Sequence, residues 1–182
     1  KLLIKQIDAL KELLKSGIEK VINFAKTTKD PYRVGIALAE IKLKNSDEQT
    51  LLNLLNEDDF LMSQGYVYRK FLNKKFDWLE LINFNNISIQ GRVRFLIQLP
   101  NNKLIWEKVS ELLGENEDSY WKEVDVRYVE SDSEYDWPLE KLLKCNRPVK
   151  ALELISMAMH EKREFSNELA AKALSDAVYN QE

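Results

Sequence analysis

Three arginines stand near the starts of corresponding predicted helices, and arginine is a residue type suited to binding chemistry. Arg33 and Arg147 are each followed four residues later by Ala-Leu, and Arg92 lies between them along the chain. A guanidinium group pairs bidentately with carboxylates and phosphates and is frequent at binding hot spots. We therefore take Arg33, Arg92 and Arg147 as candidate interaction residues on one face. The alternative is a structural role, in which each arginine packs its stem on a neighbouring helix and donates to that helix's C-terminal carbonyls.

The chain offers little for catalysis. It has one histidine, His160, and one cysteine, Cys145, so neither a disulfide nor a zinc site of the usual Cys/His kind is available. No Gly-x-Ser-x-Gly motif and no glycine-rich phosphate loop occurs. His160 is expected at the surface near a helix end. Cys145 is expected to be buried, with a reactive thiol beside Lys144 and Arg147 as the alternative. The sequence predicts no catalytic residue, no metal and no cofactor.

Acidic residues form a run and a repeated pair. The run is Glu130, Asp132, Glu134 and Asp136. It lacks the glycine and the closing glutamate of a calcium loop, so it predicts a solvated loop. The repeated pair is Glu57-Asp58 and Glu117-Asp118. Carboxylates in the first turn stabilise a helix by interacting with the positive end of its dipole. This interaction explains both pairs without acid catalysis.

Aromatic and basic residues have mainly structural interpretations. The four tryptophans lie among Leu and Ile at helical spacing and are expected in the core: Trp78, Trp106, Trp121 and Trp137. Tyr68 and Tyr128 occupy equivalent positions and are also assigned to the core. One basic cluster is expected to be a solvated face: Arg69, Lys70, Lys74 and Lys75.

Regular helices must position these residues. Only 5 glycines and 4 prolines interrupt 182 residues, and apolar residues recur at helical spacing. Asp30-Pro31 and Asn102 are helix-start signals, and Ser46 with Gln49 has the form of a capping box. A helix over 118–129 is predicted before the acidic loop. No sustained two-residue alternation was identified, so we expect about a dozen helices and no sheet.

The sequence repeats at an interval of about 60 residues. Asn56-Glu57-Asp58 returns as Asn116-Glu117-Asp118, and Asp77-Trp78 returns as Asp136-Trp137. Such self-similarity is typical of stacked supersecondary units. We predict a single α-solenoid segment of four-helix units, with a partial unit at 1–30, units at 31–86 and 87–146, and a partial unit at 147–182.

In general plan, this arrangement resembles the tetratricopeptide and HEAT classes of α-solenoid, although the tetratricopeptide spacing of Trp, Gly, Ala and Pro does not occur. It also resembles the helical-repeat tails of large bacterial multidomain proteins, including some headed by an NTPase domain. The resemblance implies stacked helix hairpins with an extended binding surface. The helical pattern already under way at Lys1 suggests a fragment of a longer protein, and the abundance of Lys, Asn and Ile suggests a bacterial one.

Composition narrows the classes of function. The net charge of −3 argues against a nucleic-acid binder, and no run of apolar residues is long enough to cross a membrane. The single cysteine fits a reducing compartment, so a cytoplasmic location is expected. The favoured function is a non-catalytic scaffold or sensor region that binds a protein or peptide. The alternatives are a regulatory helical region of a larger enzyme such as an NTPase, and nucleic-acid binding through an arginine ladder.

Overall fold

The computed structural model describes residues 2–57, 60–126, 129–130 and 135–179. The chain divides into two compact units, Lys1–Leu99 and Pro100–Glu182. Over the described ranges the secondary structure is helical, with no strand and one isolated parallel bridge between Asn101 and Val129. The predicted all-α class is therefore confirmed.

The described residues of unit 1 form α1 (Leu2–Leu14), α2 (Ile18–Thr27), α3 (Pro31–Leu38), α4 (Asn45–Asn53), α5 (Leu61–Leu79) and α6 (Ile89–Leu96). A short 3-10 turn, Leu54–Asn56, follows α4. Those of unit 2 form α7 (Lys103–Leu113), α8 (Glu117–Glu123), α9 (Asp136–Lys144), α10 (Pro148–His160) and α11 (Asn167–Tyr179). A second 3-10 turn, Gly114–Asn116, precedes α8.

Two of the three predicted helix-start signals are confirmed. The Asp30 carboxylate accepts a hydrogen bond from the backbone N–H of Arg33 at 3.2 Å, and Asn102 accepts one from Ile105 at 2.9 Å. The capping box at Ser46 is wrong, because Ser46 lies inside α4. The side chain of Gln49 donates along the helix to Asn53 at 3.0 Å instead of reaching back to the N-terminus.

The closest helix crossing in unit 1 joins α3 to α5 through two glycines. A Cβ atom on Gly35 would lie 1.9 Å from the carbonyl oxygen of Met62, and one on Gly65 would lie 2.0 Å from that of Tyr32. No carbon atom fits at such distances, so only glycine permits the two backbones to touch. These glycines therefore fix where α3 lies against α5.

An aromatic cluster joins α5 to α6 in unit 1. The Trp78 ring stacks on Phe95 with ring centroids 5.8 Å apart and meets the edge of Tyr66 at 6.3 Å. A kink in α5 at Lys75, where φ is 52°, precedes Trp78. The indole N–H of Trp78 and the hydroxyl of Tyr66 both donate to the Glu48 carboxylate. The cluster therefore buries its polar atoms with partners.

Tryptophans also form the core of unit 2. Trp106 and Trp121 are fully buried with ring centroids 6.0 Å apart, and Tyr120 meets the edge of Trp121 at 5.2 Å. Trp137 is half-buried and packs its ring against Trp106. The core assignment is confirmed for Trp78, Trp106 and Trp121, whereas Trp137 lies at the margin of the core.

The predicted helix over 118–129 is wrong in its second half. Helix α8 ends at Glu123, and Val124 has extended backbone angles. Val124, Val126 and Val129 are all buried, and the backbone N–H of Glu130 donates to Asn101 at 2.9 Å. Val124 and Val126 are β-branched residues at alternating positions, a pattern that favours extended chain over helix, and this short signal was missed.

The assignments of Tyr68 and of the basic cluster also need correction. Tyr68 is 40% exposed and packs against the Tyr32 ring, because the stripe of α5 that carries it lies at the surface. Tyr128 lies outside the described residues. Lys74 and Lys75 are exposed as expected, but Arg69 pairs with Glu40, and Lys70 is largely buried, 3.6 Å from Glu48.

The predicted 60-residue repeat is not confirmed. Trp78 packs between Tyr66 and Phe95 and binds a carboxylate, whereas Trp137 packs on Trp106. The boundary between the two units at residues 99 and 100 also differs from the predicted boundaries at 86 and 146. The four-helix unit and the solenoid stay predictions.

Tyr135 contributes a pH-dependent interaction to unit 2. The residue is 2% exposed, and its hydroxyl donates to the Glu161 carboxylate at 2.9 Å. Burial, followed by the hydrogen bond to Glu161 and the negative charge of that carboxylate, raises the pKa of Tyr135 to about 12. The folded protein therefore holds this proton more tightly than the unfolded chain does.

We expect Gly35→Ala and Gly65→Ala each to destabilise the protein by about 3 kcal/mol, the upper end of the usual cost of overpacking, because the new methyl group meets backbone. Urea unfolding followed by circular dichroism measures the change. Asn23→Ala, on the exposed face of α2, is the control and should shift stability by no more than about 0.5 kcal/mol. Wild-type stability in both glycine variants would contradict the close crossing.

Alkaline pH should weaken the Tyr135 interaction. A raised pKa contributes stability that is complete below the ordinary value of 10.0 and is lost as the pH rises toward about 12. Tyr135→Phe removes the hydrogen bond but cannot ionise. The gap in unfolding free energy between wild type and Tyr135→Phe should therefore narrow over this pH range. A gap that stays constant across the range would exclude titration of Tyr135.

Candidate functional site

Unit 1 contains an open groove between α1, the end of α2 and the start of α3. Its volume is about 800 Å³. Six apolar residues line it: Ala9, Leu10, Leu13, Phe24, Val34 and Ala37. The polar and charged lining residues are Gln6, Glu12, Ser16, Thr28, Lys29, Asp30 and Arg33. A groove of this size with an apolar lining and a few polar groups has the character of a binding site.

Local sequence explains the walls of the groove. Ala9, Leu10 and Leu13 fall on one side of α1 because residues three and four apart share a helix face. Gly17, at φ 99°, turns the chain from α1 into α2, in a left-handed conformation that favours glycine. Phe24 is 46% exposed although it is aromatic, since the buried face of α2 lies elsewhere on that helix.

Charged residues at the groove belong mostly to local ion pairs. Glu12 pairs with Lys15 at 2.7 Å, and Asp30 pairs with Arg33 at 3.1 Å. Lys29 is exposed and makes no ion pair with any residue that the structure describes. When these pairs are taken into account, the positive charge of Lys29 remains uncompensated in the groove lining. It lies on the side of the α2–α3 connection.

Arg33 is the predicted interaction residue that lies in this groove. Its side chain is 71% exposed, and among the residues that the structure describes it pairs only with Asp30, one turn earlier at the helix start. No described helix end accepts hydrogen bonds from its guanidinium group. The structural alternative, in which the arginine donates to the carbonyls of a neighbouring helix end, therefore does not apply to Arg33. Recognition of a partner by Arg33 stays a prediction.

Arg147 and Arg92 use their guanidinium groups within the fold. Arg147 Nη1 donates to the carbonyl oxygens of Trp121 and Val124, at 2.7 and 2.9 Å, where α8 ends. Arg92 donates to the carbonyl of Ile87 at 3.0 Å and to that of Phe84 at 3.1 Å, in the loop before α6. Both are half-buried. Arg147 satisfies the unpaired carbonyls of a neighbouring helix end, as the structural alternative expected.

Arg94 has a similar role that the sequence analysis missed. Its Nη1 donates to the carbonyls of Leu55 and Glu57, at 2.9 and 2.7 Å, at the end of the first 3-10 turn. Its guanidinium carbon also lies 4.2 Å from the centre of the Phe60 ring. The sequence signal for this role was the Arg-x-Arg spacing of Arg92 and Arg94. Because residues two apart on a helix point in different directions, the two arginines contact different neighbours.

The groove itself was also missed. Apolar residues on one face of a helix, such as Leu10, predict an amphipathic helix but do not reveal whether a neighbouring helix covers that face. The exposure of Phe24 follows from the packing of α2, so the sequence gives no signal for it.

The remaining chemical candidates have local structural roles. Cys145 is half-buried, and burial, followed by the charge of Asp118, raises the pKa of its thiol despite nearby cations. This direction disfavours a reactive thiolate. His160 is exposed at the last residue of α10, as expected.

The acidic pairs have different outcomes. Glu117 lies in the first turn of α8 and accepts hydrogen bonds from Trp121 and Lys141. Glu57 follows a 3-10 turn and precedes α5, so its assignment to a first helical turn is wrong, and Asp58 lies outside the described residues. Of the acidic run, 131–134 likewise lie outside, and Asp136 accepts a hydrogen bond from Ser166 at 2.7 Å.

No family model, no curated protein and no solved structure matches the chain. Across the described residues, the helices lack the combination of length and apolar character that spanning a membrane requires. The geometry of unit 1, with its open apolar groove, is therefore the guide to function.

The arginines should respond oppositely to truncation. Arg147→Ala leaves the carbonyls of Trp121 and Val124 without their donor, so we expect a loss of about 1–3 kcal/mol in unfolding free energy. Arg33→Ala removes one exposed ion pair and should cost no more than about 0.5 kcal/mol. Urea denaturation of both variants measures the difference. Equal losses would contradict the separate roles assigned here.

Proposed function

We propose that unit 1 is a protein-binding region that holds the apolar face of a partner's amphipathic helix in the groove between α1 and α3. The groove, about 800 Å³ with six apolar lining residues, is the observation that carries this proposal. An apolar surface of this kind gains free energy when a partner removes it from water. The proposal agrees with the favoured sequence interpretation of a non-catalytic scaffold or sensor region.

A helix suits the groove better than other kinds of segment. Strand addition requires an exposed sheet edge, and unit 1 has no strand among its described residues. Polyproline recognition uses a groove lined by several aromatic rings, whereas Phe24 is the one aromatic residue of this lining. The small side chain of Ala9, which is exposed, allows another helix to approach α1 closely.

The test uses a synthetic amphipathic peptide of about 15 residues, long enough to form a helix, with leucines on one face and glutamines on the other. Its binding to the full chain is measured by fluorescence anisotropy. We expect saturable binding to the wild type. Ala9→Trp places a large ring in the groove and should weaken binding at least about tenfold, the equivalent of about 1.4 kcal/mol.

A matched variant separates the groove from general surface effects. Ala171→Trp adds the same ring to an exposed alanine of α11 in unit 2 and should leave peptide affinity unchanged. Circular dichroism verifies that both variants keep their helix content. Failure of the wild type to bind the peptide, or equal weakening by the two substitutions, would refute binding in this groove.

A further inference from the structure

We infer that the partner helix is acidic on the side that meets Lys29 and Arg33, an inference that rests on the function proposed above. Lys29 and Arg33 both line the groove and both are exposed. They flank the start of α3, so they lie on the same wall. Glu12 belongs to α1 on the other wall, where Lys15 neutralises it at 2.7 Å. Because Asp30 on the same wall offsets the charge of Arg33, this wall carries one net positive charge, that of Lys29, beside the groove.

Lys29 provides the first contact for a carboxylate. It makes no ion pair with any described residue, so binding an anion breaks no existing interaction of this ammonium group. Because Lys29 lines an apolar groove, an incoming carboxylate would be partly shielded from water, which strengthens the attraction. A basic residue at the same place would be repelled by Lys29.

Arg33 can provide the second contact. Its ion pair with Asp30 is exposed on both sides, and such pairs are weak. Asp30 also accepts a hydrogen bond from the backbone N–H of Arg33, and this bond remains when the Arg33 side chain turns toward a partner. The guanidinium group is therefore available for a bidentate bond to a carboxylate of the partner helix.

The apolar lining accepts any leucine-rich helix face and so does not distinguish one partner from another. The charges beside the groove therefore select the partner. The whole chain carries a formal charge of −3, which by itself favours basic peptides. A preference for an acidic peptide would consequently report the local charge of the groove. The spacing of residues three or four apart on a helix would place a glutamate beside its leucine face.

The experiment compares three peptides that share one leucine face and carry glutamate, lysine or glutamine at the same flanking positions. Anisotropy titrations at low salt measure each affinity for the full chain. With about a twofold to fivefold effect for each surface charge pair, we expect the glutamate peptide to bind about tenfold more tightly than the lysine peptide. Added salt should reduce this ratio, since the charges are exposed.

Lys29→Glu should abolish or invert the preference, whereas Lys74→Glu makes the same change of charge outside the groove on α5 and should leave the preference intact. Circular dichroism verifies that both variants fold. An equal change in the two variants would mean that net charge alone sets the preference, and would overturn the inference.

The remaining outcomes separate the inference from the proposed function. Equal affinities for the glutamate and lysine peptides overturn the acidic partner but leave helix binding in place. Binding of none of the three peptides overturns both. A molecular mass that rises with protein concentration in light scattering, and peptides that fail to compete, would mean that a second copy fills the groove, for example through the exposed Leu174 and Val178 of α11.

Discussion

The contact between Gly35 and Gly65 determines the arrangement of unit 1. Because a Cβ atom at either position would overlap a backbone carbonyl of the other helix, α3 can lie against α5 only with two hydrogen atoms at the crossing. The side of α3 away from α5 then presents Val34 and Ala37 toward α1. The groove therefore depends on a contact made on the opposite side of α3. A methyl group at the crossing would move the wall that carries Arg33.

The arginines show how the ends of helices decide the role of a side chain. Each helix leaves carbonyl groups without intrahelical partners, and burying them without donors costs free energy. Arg147 and Arg94 satisfy such carbonyls from a neighbouring element. Arg33 follows an N-cap, where the nearby unpaired groups are N–H donors that Asp30 satisfies. With no carbonyl to bind, its guanidinium group stays at the surface beside the groove.

The two units also differ in how they use carboxylates. In unit 1, Glu48 accepts hydrogen bonds from Tyr66 and Trp78 and joins α4 to α5. In unit 2, Glu117 joins α8 to α9 through Lys141. Glu48 and Glu117 are not equivalent in the predicted repeat, so similar chemistry arises at different positions. The short matches around Trp78 and Trp137 therefore do not imply similar packing. Both of these half-buried carboxylates hold helices together.

The sequence by itself determined the helical class, the helix starts at Asp30 and Asn102, and the burial of Trp106 and Trp121, because caps and apolar periodicity act over one or two turns. It could not decide the extended segment from Val124, which depends on the buried environment of three valines and on pairing with Asn101. It could not separate Arg33 from Arg147, since the difference lies in which carbonyls come within reach after packing. The groove was likewise decided by tertiary structure, because Ala9 and Leu13 line an open groove only where no described helix covers them.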